Sequence, residues 1–318
     1  MNRSSKILVA GHTGLVGSAM KRRLEEEGYT DIATASWPAI DLTDQRATNE
    51  FMAREKPSAV FLCAAKVGGI LANSTFPADF IYQNVMIAAN VIHASFRHGA
   101  RKLLNLGSSC IYPRLAPQPI REEYLLTDEL EPTNEPYAIA KIAAIKLCSA
   151  YNRQHGTNFI SVMPTNLYGP GDNFDLETSH VLPAMIRRFY EAKENGAPAV
   201  TLWGTGTPRR EFLYVDDLAA ACVHLMTHHD ARALGEFVNI GTGTDLTIAE
   251  LAGIVARVVG YEGEMRWDRT RPDGTPQKLL DVSRIHDLGW RASVGLEEGI
   301  QRTYRWFLDN LQTCRGVS

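Results

Sequence analysis

The sequence predicts an α/β fold, with a doubly wound parallel sheet followed by a smaller C-terminal α/β lobe. Short apolar runs alternate with longer helical stretches over the first half of the chain, which is typical of βαβ units. From about residue 166 this alternation loosens, and stretches rich in proline and glycine follow at 168–172, 203–208 and 271–276. Such stretches indicate loops, and we expect them to border a cleft.

The individual elements follow from apolar patterning, taken in chain order. Buried parallel strands are short apolar runs, whereas helices are longer and repeat their apolar residues at helical spacing. The predicted strands are 6–11, 31–36, 58–65, 102–109 and 158–165. The predicted helices are 14–28, 43–55, 79–98, 135–155, 180–195, 216–228, 247–259 and 296–311.

A glycine-rich turn joins the first predicted strand to the first predicted helix. It has the pattern G-x-x-G-x-x-G, formed by Gly11, Gly14 and Gly17. Glycine lets the backbone turn tightly and approach a pyrophosphate, whose charge lies at the helix N-terminus. An ordinary glycine-rich turn is the alternative, but the strand–turn–helix context favours a Rossmann-like dinucleotide site. We therefore predict a dinucleotide-binding domain over 1–165, which also receives segments near 212–242, and a substrate lobe over 166–318.

Tyr137 and Lys141 stand four residues apart in a predicted helix. Residues at this spacing lie on the same helix face. An ammonium beside a phenol favours the phenolate, so we expect a lowered pKa for Tyr137 and proton exchange with a substrate oxygen near neutral pH. A surface contact between the two side chains is the alternative explanation.

Longer motifs carry a family resemblance. They are 64–70 (AAKVGGI), 107–113 (GSSCIYP), 131–137 (EPTNEPY), 164–170 (PTNLYGP) and 203–212 (WGTGTPRREF). With the glycine turn and the Tyr-x-x-x-Lys pair, they resemble the extended short-chain dehydrogenase/reductases and, within these, the GDP-L-fucose synthase family. The resemblance runs from about residue 6 to 311.

The resemblance implies three chemical steps at one site. GDP-4-keto-6-deoxy-D-mannose is epimerised at C3 and C5, because protons beside a ketone are acidic, and C4 is reduced with NADPH to give GDP-L-fucose. The resemblance assigns reduction to Ser108, Tyr137 and Lys141. It assigns proton transfer at carbon to Cys110 and His180, through a thiolate and an imidazole. Which of these two is the base, and which the acid, stays open.

Two other functions stay open as well. The first is another NAD(P)-dependent sugar-nucleotide epimerase or dehydratase of the same superfamily, for which the position of Cys110 is typically a threonine or a glutamate. The second, of a different class, is a non-catalytic dinucleotide-sensing protein, against which the intact Ser108, Tyr137 and Lys141 argue. Without the resemblance, Cys110 would be read as a small buried filler and His180 as a surface histidine.

The resemblance also implies the cofactor set. Besides Tyr137 and Lys141 it comprises Gly11, Thr13, Gly14, Leu15, Val16, Gly17, Asp41, Leu42, Ala64, Ala65, Lys66, Pro164, Asn166 and Leu167. Asp41 would contact the adenine amine, although a helix N-cap is its structural alternative. NADPH is the cofactor that the family implies. NAD stays possible, because Thr13 stands in the turn and Ala-Ser-Trp at 35–37, where arginines usually grip the 2′-phosphate.

The substrate is a GDP-linked keto-deoxyhexose, so a basic and partly aromatic cleft is needed. The family positions that resemble substrate contacts are Asn166, His180, Arg188, Trp203, Arg210 and Lys278, of which Arg188, Arg210 and Lys278 resemble diphosphate and sugar contacts. Each charged residue among them would otherwise be read as a solvated surface group.

Composition limits the possible partners and compartment. The net charge is −3, so no basic excess indicates nucleic acid, and no apolar run approaches the ~20 residues of a membrane span. The start of the chain runs into the first strand without room for a signal peptide. The five cysteines are scattered and odd in number, so we predict neither disulfides nor a metal site, and a cytoplasmic location.

The predicted helix 79–98 is apolar on more than one face. A helix of this kind must be covered on both sides, either by the rest of the fold or by another subunit. We predict a homodimer formed through the helices 79–98 and 135–155.

Overall fold

The computed structural model describes residues 1–271 and 273–317. Its strands are Ile7–Ala10 (β1), Ile32–Ala35 (β2), Ala59–Leu62 (β3), Lys102–Leu106 (β4), Phe159–Pro164 (β5), Asn166–Tyr168 (β6), Ala199–Trp203 (β7), Arg209–Tyr214 (β8), Val238–Ile240 (β9), Asp245–Thr247 (β10), Glu264–Asp268 (β11) and Gln277–Lys278 (β12). Its α-helices are Leu15–Glu26 (α1), Gln45–Glu55 (α2), Ile70–Thr75 (α3), Pro77–Arg97 (α4), Glu135–His155 (α5), Val181–Glu194 (α6), Val215–His228 (α7), Ala231–Leu234 (α8), Ile248–Val259 (α9), Ser283–Asp287 (α10) and Leu296–Asp309 (α11).

A six-stranded parallel sheet forms the first half of the molecule, in the order β2-β1-β3-β4-β5-β9. β1 lies between β2 and β3, with Val9 beside both Thr34 and Phe61. The chain therefore reverses its direction of sheet growth after β2, and the carboxyl ends of β1 and β3 flank the point where ligands bind in doubly wound sheets. The α/β fold with a doubly wound parallel sheet is confirmed.

Two hydrophobic clusters cover the faces of this sheet. One contains Ile7 and Val9 together with buried residues of α7, and the other contains Leu8 with buried residues of α2 and α4. The first cluster also takes in Trp290, so the segment after α10 packs on the sheet that carries β1. The domain boundary at residues 165 and 166 stays a prediction.

A third cluster forms the core of the smaller lobe, from α6, α9, α11 and the strands between them. β8 is its central strand: β10 pairs with it antiparallel, and β12 and β6 pair with it parallel. β7 and β11 form a separate parallel pair. None of the strands from β6 onward was predicted from the sequence, because several of them contain charged residues and are only partly buried, so they lack the continuous apolar run that marks β1 or β5.

The main helices lie close to their predicted positions. α4 begins with a proline in its first turn, two residues earlier than predicted, because proline fits the start of a helix. Asp44, rather than Asp41, caps α2 by accepting from the backbone N–H groups of Arg46 and Ala47. Among the helices of the described residues, none is long and apolar enough to cross a membrane.

Glu211 on β8 is the most heavily engaged buried carboxylate of the smaller lobe. Its Oε1 accepts from the backbone N–H groups of Thr242 at 2.6 Å and Gly243 at 2.8 Å, and its Oε2 accepts from that of Leu280 at 3.0 Å. The side chain is 0% exposed. It therefore joins β8 to the loop after β9 and to the segment after β12.

We predict that Glu211→Ala lowers the free energy of unfolding by roughly 3 kcal/mol or more, because each buried donor left without a partner costs about 1–3 kcal/mol. Denaturant unfolding measures this change. The control is Glu264→Ala, which removes an exposed carboxylate paired with Arg266 and should have little effect. Equal losses in the two variants would contradict the role given to Glu211.

Candidate active site

The glycine turn before α1 is shaped for close approach of a phosphate group. Gly11 has φ +85°, and a Cβ there would lie 2.7 Å from the Cα of Ala64. A Cβ on Gly17 would collide with the Gly11 carbonyl. The N-cap Gly14 makes no side-chain cap, and the first turn of α1 contains no acidic residue, so its backbone N–H groups face outward as donors. These features fit the pyrophosphate of a dinucleotide.

The adenosine end of this site lies beside the end of β2, where Gly11 donates to the Ala35 carbonyl at 2.6 Å. Asp41 folds into a local turn, accepting from the backbone N–H of Thr43 at 2.9 Å and from its hydroxyl at 2.7 Å. Trp37 is 72% exposed, immediately after the strand. The side chains placed here are therefore hydroxyls, an indole and one carboxylate.

The arginines and the lysine nearest in sequence to this region are paired with acidic residues. Arg22 of α1 lies 2.6 Å from Asp216, and Arg23 lies 2.6 Å from Glu27. Lys66, which the sequence placed among the cofactor residues, lies 3.2 Å from Asp79. Its backbone N–H also donates to the Asn84 amide at 2.9 Å. In the described part of the chain, these three cations are therefore engaged by carboxylates.

The other predicted cofactor residues lie at the carboxyl edge of the sheet. Leu15 and Val16 open α1, Leu42 is buried before α2, Ala64 and Ala65 follow β3, Pro164 ends β5, and Asn166 and Leu167 lie in β6.

Ser108 and Cys110 stand on the tight turn that follows β4. Ser108 begins a 3₁₀ turn at Ser109–Ile111, and its hydroxyl accepts from the backbone N–H of Cys110 at 3.5 Å. A side chain at Gly107 would collide with Met163 of β5, so the strand must leave the sheet through a glycine. The turn therefore places a hydroxyl and a thiol side by side at the edge where the dinucleotide site lies.

Tyr137 and Lys141 come to this turn from α5. The Lys141 ammonium is buried, donates to the Leu106 carbonyl at 2.8 Å, and lies 5.6 Å from the centre of the Tyr137 ring. Phe80 packs edge-on against the same ring, with 6.2 Å between ring centres. The predicted Tyr–Lys face is thus directed at Ser108.

The expected lowering of the tyrosine pKa was wrong for the protein as it stands here. Burial raises the pKa of Tyr137 well above its usual value, nearby Cys110 adds to this, and the Ser108 hydroxyl opposes it. Burial also lowers the pKa of Lys141 to about 8. Spacing alone could not reveal this, because it gives the distance between the two groups but not how far both are removed from water. At neutral pH Tyr137 is a protonated phenol, hence a proton donor.

Lys278 of β12 acts electrostatically on both Cys110 and His180. Burial raises the pKa of Cys110, and Lys278 is the main group that opposes this rise. His180 is the N-cap of α6 and keeps part of its surface exposed. Burial of its ring nevertheless lowers its pKa, and Lys278 adds to the effect. Both groups are therefore uncharged at neutral pH in the resting site.

The remaining substrate residues of the sequence prediction line the smaller lobe. The Arg188 guanidinium lies 5.9 Å from the ring centre of Trp203, which is 48% exposed. Arg210 of β8 donates to the Arg209 carbonyl at 2.8 Å. Within the described residues, neither Arg188 nor Arg210 forms a salt bridge, although burial lowers the pKa of both. Two partly buried guanidinium groups without a carboxylate partner suit a dianionic ligand.

Sequence reasoning missed three residues of this region. Asp273 accepts from the backbone N–H of Thr205 at 2.7 Å, and its charge favours the charged form of Arg210. Arg271 lies 4.9 Å from the ring centre of Trp203. Asn134 lines the same pocket as Cys110, and its buried Oδ1 accepts no hydrogen bond from the described residues. Of these, Asn134 stands in the motif at 131–137, and Arg271 and Asp273 stand in the loop at 271–276 that was expected to border the cleft.

Among the described residues, no three His, Cys, Asp or Glu side chains are grouped so that they could hold a metal ion.

Comparison with known proteins shows the family of this chain. Residues 7–241 match the NAD dependent epimerase/dehydratase family, and the chain belongs to this family. Within it, the chain is 58% identical over 310 residues to GDP-L-fucose synthase 1 of Arabidopsis thaliana, covering 98% of this chain and 95% of that protein. It is 55% identical over 317 residues to the GDP-L-fucose synthase of Escherichia coli K12, covering 98% and 99%. The resemblance to the GDP-L-fucose synthase family is confirmed.

A solved structure gives the same result. The GDP-L-fucose synthetase of Naegleria fowleri bound to NADP is 29% identical and superposes with a TM-score of 0.90, covering 99% of this chain and 96% of that chain. The structural similarity to this synthetase therefore covers the smaller lobe as well as the parallel sheet.

The first prediction at this site concerns Tyr137→Phe. Losing the phenol removes the proton donor, which is worth roughly 10²–10⁴-fold in rate. Steady-state oxidation of the reduced cofactor measures the loss, while cofactor binding should change little because one oxygen is removed. Tyr82→Phe, at a side chain that is 62% exposed, is the matched control. Activity of Tyr137→Phe within about threefold of the parent protein would refute the assignment.

The second prediction concerns cofactor choice. Because Thr13 and Ser36 offer only hydroxyls, discrimination between NADPH and NADH should be modest. Thr13→Arg should raise it roughly tenfold, since a hydrogen bond to a charged group contributes about 1.5 kcal/mol or more. Dissociation constants for both cofactors, measured by fluorescence, test this. Thr313→Arg adds the same charge at an exposed position outside the site. A strong preference for NADPH in the parent protein would mean that another group binds the phosphate.

Proposed function

We propose that this protein epimerises GDP-4-keto-6-deoxy-D-mannose at C3 and C5 and reduces C4 with NADPH, giving GDP-L-fucose. The observation that carries this proposal is the turn after β4, which sets the Cys110 thiol beside the Ser108 hydroxyl and the Tyr137 phenol. A reductase needs only the hydroxyl and the phenol. The added thiol, together with the His180 imidazole on which Lys278 also acts, supplies the carbon acid–base pair that an epimerase requires.

Reduction depends on a proton donor at the C4 oxygen. Ser108 and Tyr137 hydrogen-bond this oxygen, and the raised pKa of Tyr137 keeps the phenol protonated until it donates. Lys141, anchored on the Leu106 carbonyl, holds the phenol in place from one helical turn away and would contact the nicotinamide ribose of a bound cofactor. When bound at the glycine turn, NADPH supplies the hydride.

Epimerisation depends on the same hydrogen bonds to the C4 oxygen. Removing a proton from C3 or C5 leaves an enolate, whose charge rests on the oxygen that Ser108 and Tyr137 hold. Cys110 and His180 remove and return the proton on opposite faces of the ring, which inverts each centre. Lys278 acts on both Cys110 and His180, and this shared neighbour supports assigning the two side chains to one site.

The GDP moiety is held by the smaller lobe. Arg188 and Arg210 neutralise the diphosphate, and Trp203 packs beside them at the open side of the cleft. Asn166, whose amide donates to the Glu211 carbonyl at 2.7 Å, positions the sugar. Binding a remote dianion in this way directs binding free energy toward orienting the ketone.

We further propose a homodimer formed through α4 and α5. Tyr82 of α4 is 62% exposed and Ile139 of α5 is 41% exposed, so both helices present large apolar side chains to solvent. α5 also carries Tyr137 and Lys141, so its outer face supports the site from behind. We place the protein in the cytoplasm, because its five cysteines are all free thiols, as a reducing compartment favours.

The defining experiment supplies GDP-4-keto-6-deoxy-D-mannose with NADPH, and with NADH in parallel, in deuterated water. We expect net oxidation of the cofactor and GDP-L-fucose carrying deuterium at C3 and C5, identified by NMR. A related epimerase or dehydratase that keeps its NAD bound would consume no cofactor. A cofactor-sensing protein would bind it without turnover.

Two variants separate the two chemistries. Cys110→Ser nearly conserves the volume but replaces the thiol with a far weaker base, so epimerisation should collapse while slow reduction of the un-epimerised ketone remains. His180→Asn should likewise impair deuterium incorporation. Ser109→Ala, at the buried neighbour on the same turn, is the matched control. GDP-L-fucose formed by Cys110→Ser at a near-parental rate, with normal deuterium, would exclude the thiol as proton carrier.

The dimer is tested by Ile139→Glu. A carboxylate on the outer face of α5 would be buried unpaired in the interface, so the variant should run as a monomer in size-exclusion chromatography with light scattering. Leu308→Glu, on α11 and 38% exposed, is the control. A parent protein that is already monomeric at micromolar concentration would rule out the interface.

A further inference from the structure

Lys278 lies in β12, the shortest strand described in the smaller lobe. Several hydrogen bonds nevertheless hold this strand in place. β12 pairs in parallel with β8, and Lys278 lies beside Arg210 in that register. Two residues later, the backbone N–H of Leu280 donates to the buried carboxylate of Glu211 at 3.0 Å. Backbone and carboxylate together fix the segment 277–281 on the side of the smaller lobe.

The other side of this segment is clamped by the loop that follows the Cys110 turn. Gln118 donates to the Gln277 carbonyl at 3.3 Å and accepts from the backbone N–H of Leu279 at 2.8 Å. Ile120 donates to the Leu279 carbonyl at 2.7 Å and accepts from the backbone N–H of Asp281 at 2.8 Å. The segment 277–281 therefore connects the two lobes, and we call it the strap.

This strap brings Lys278 into the pocket of the catalytic thiol. Cys110 and Lys278 line the same narrow pocket, together with Glu131, Asn134 and Gln277. Cys110 is only 9% exposed, so an ionised sulfur there has little water to stabilise it. A cation in the same pocket supplies that stabilisation.

The charges around the pair come from several elements. The groups that act on Cys110 are Lys278 from β12, most strongly, and Lys141 from α5, while its charge is felt in turn by Tyr137. Burial lowers the pKa of Lys278, Cys110 is the main group that opposes this fall, Arg210 from β8 adds to it, and Glu131 opposes it. Lys278 also faces His180, where its charge disfavours the imidazolium. One ammonium thus acts on the two proton carriers in opposite directions.

We propose that Lys278 is the counter-ion of the Cys110 thiolate, a positioning residue that acts through the sulfur rather than only a contact for the substrate diphosphate. The proposal rests on the proposed function, whose epimerisation step it deepens. When the pair forms, the S–H bond breaks, the proton leaves to solvent, and the electron pair stays on sulfur beside the ammonium. Because the same cation opposes charge on His180, the pair favours Cys110 as the group that takes the carbon-bound proton.

The test is the pH dependence of Cys110 alkylation by iodoacetamide in the free protein, followed peptide by peptide with mass spectrometry, because only the thiolate reacts. Lys278→Met removes the charge and Lys278→Arg retains it. An opposite charge within contact distance shifts a pKa by about 1–3 units. Alkylation at pH 8 should therefore fall tenfold or more in Lys278→Met, with its midpoint moved to higher pH, and stay within about threefold in Lys278→Arg.

The matched control is Arg114→Met, which removes a cation from the lining of the same pocket where it is paired with Glu131 at 3.2 Å. Its alkylation profile should match the parent protein. Cofactor binding and circular dichroism establish that each variant is folded. If Lys278→Met fails to fold, Lys278→Gln replaces it. An unchanged midpoint in a folded variant that lacks the charge would overturn the proposal, as would an equal shift in Arg114→Met.

A second measurement keeps this inference separate from the proposed function. Deuterium incorporation into GDP-4-keto-6-deoxy-D-mannose should fall at least tenfold in Lys278→Met, and the loss should diminish as the pH is raised. A diphosphate contact alone predicts a higher KM with no change in the pH profile, which would count against the counter-ion. Absence of turnover in the parent protein would contradict the proposed function, whereas the alkylation result needs no substrate.

Discussion

The site depends first on one buried hydrogen bond, from the Lys141 ammonium to the carbonyl of Leu106 at 2.8 Å. Leu106 ends β4, so this bond ties α5 to the strand whose next residues form the Ser108–Cys110 turn. A buried ammonium without an acceptor is costly, and this need fixes the depth and rotation of α5 against the sheet. The direction of the Tyr137 phenol follows, because it lies one helical turn from the anchor.

Removal from water then decides the protonation states. The same burial that orders Tyr137, Cys110 and Lys141 raises the pKa of the phenol and the thiol and lowers that of the ammonium. A protonated phenol suits a donor at the ketone oxygen, but a protonated thiol does not suit a base at carbon. The two chemistries therefore make opposite demands on one dry pocket, and the proposed pairing of Cys110 with Lys278, which lines the same pocket, would reconcile them.

The sequence predicted what depends on local pattern. Buried strands such as β1 and β5 and long helices such as α5 lie within a few residues of their predicted positions, because apolar runs and helical spacing mark them directly. The strands from β6 onward were not predicted. A strand as short as β12 has no repeating pattern to detect, and it forms because neighbouring residues hold it in place. The direction of the Tyr137 pKa shift was predicted wrongly for a related reason, because burial is a property of the whole fold.

Motifs in the sequence named the candidate site residues, but they did not show which residues the fold brings into contact. Nothing in the sequence links Gln118, Glu211 and Lys278, which stand far apart along the chain and meet only where the lobes join. This junction has a consequence for the proposed roles. The residues proposed to hold the diphosphate and the thiolate lie on adjacent strands, β8 and β12, in register at Arg210 and Lys278. Under these two proposals, a shift of the strap would displace the ammonium relative to both the sulfur and Arg210, so binding of the diphosphate and activation of Cys110 would be coupled.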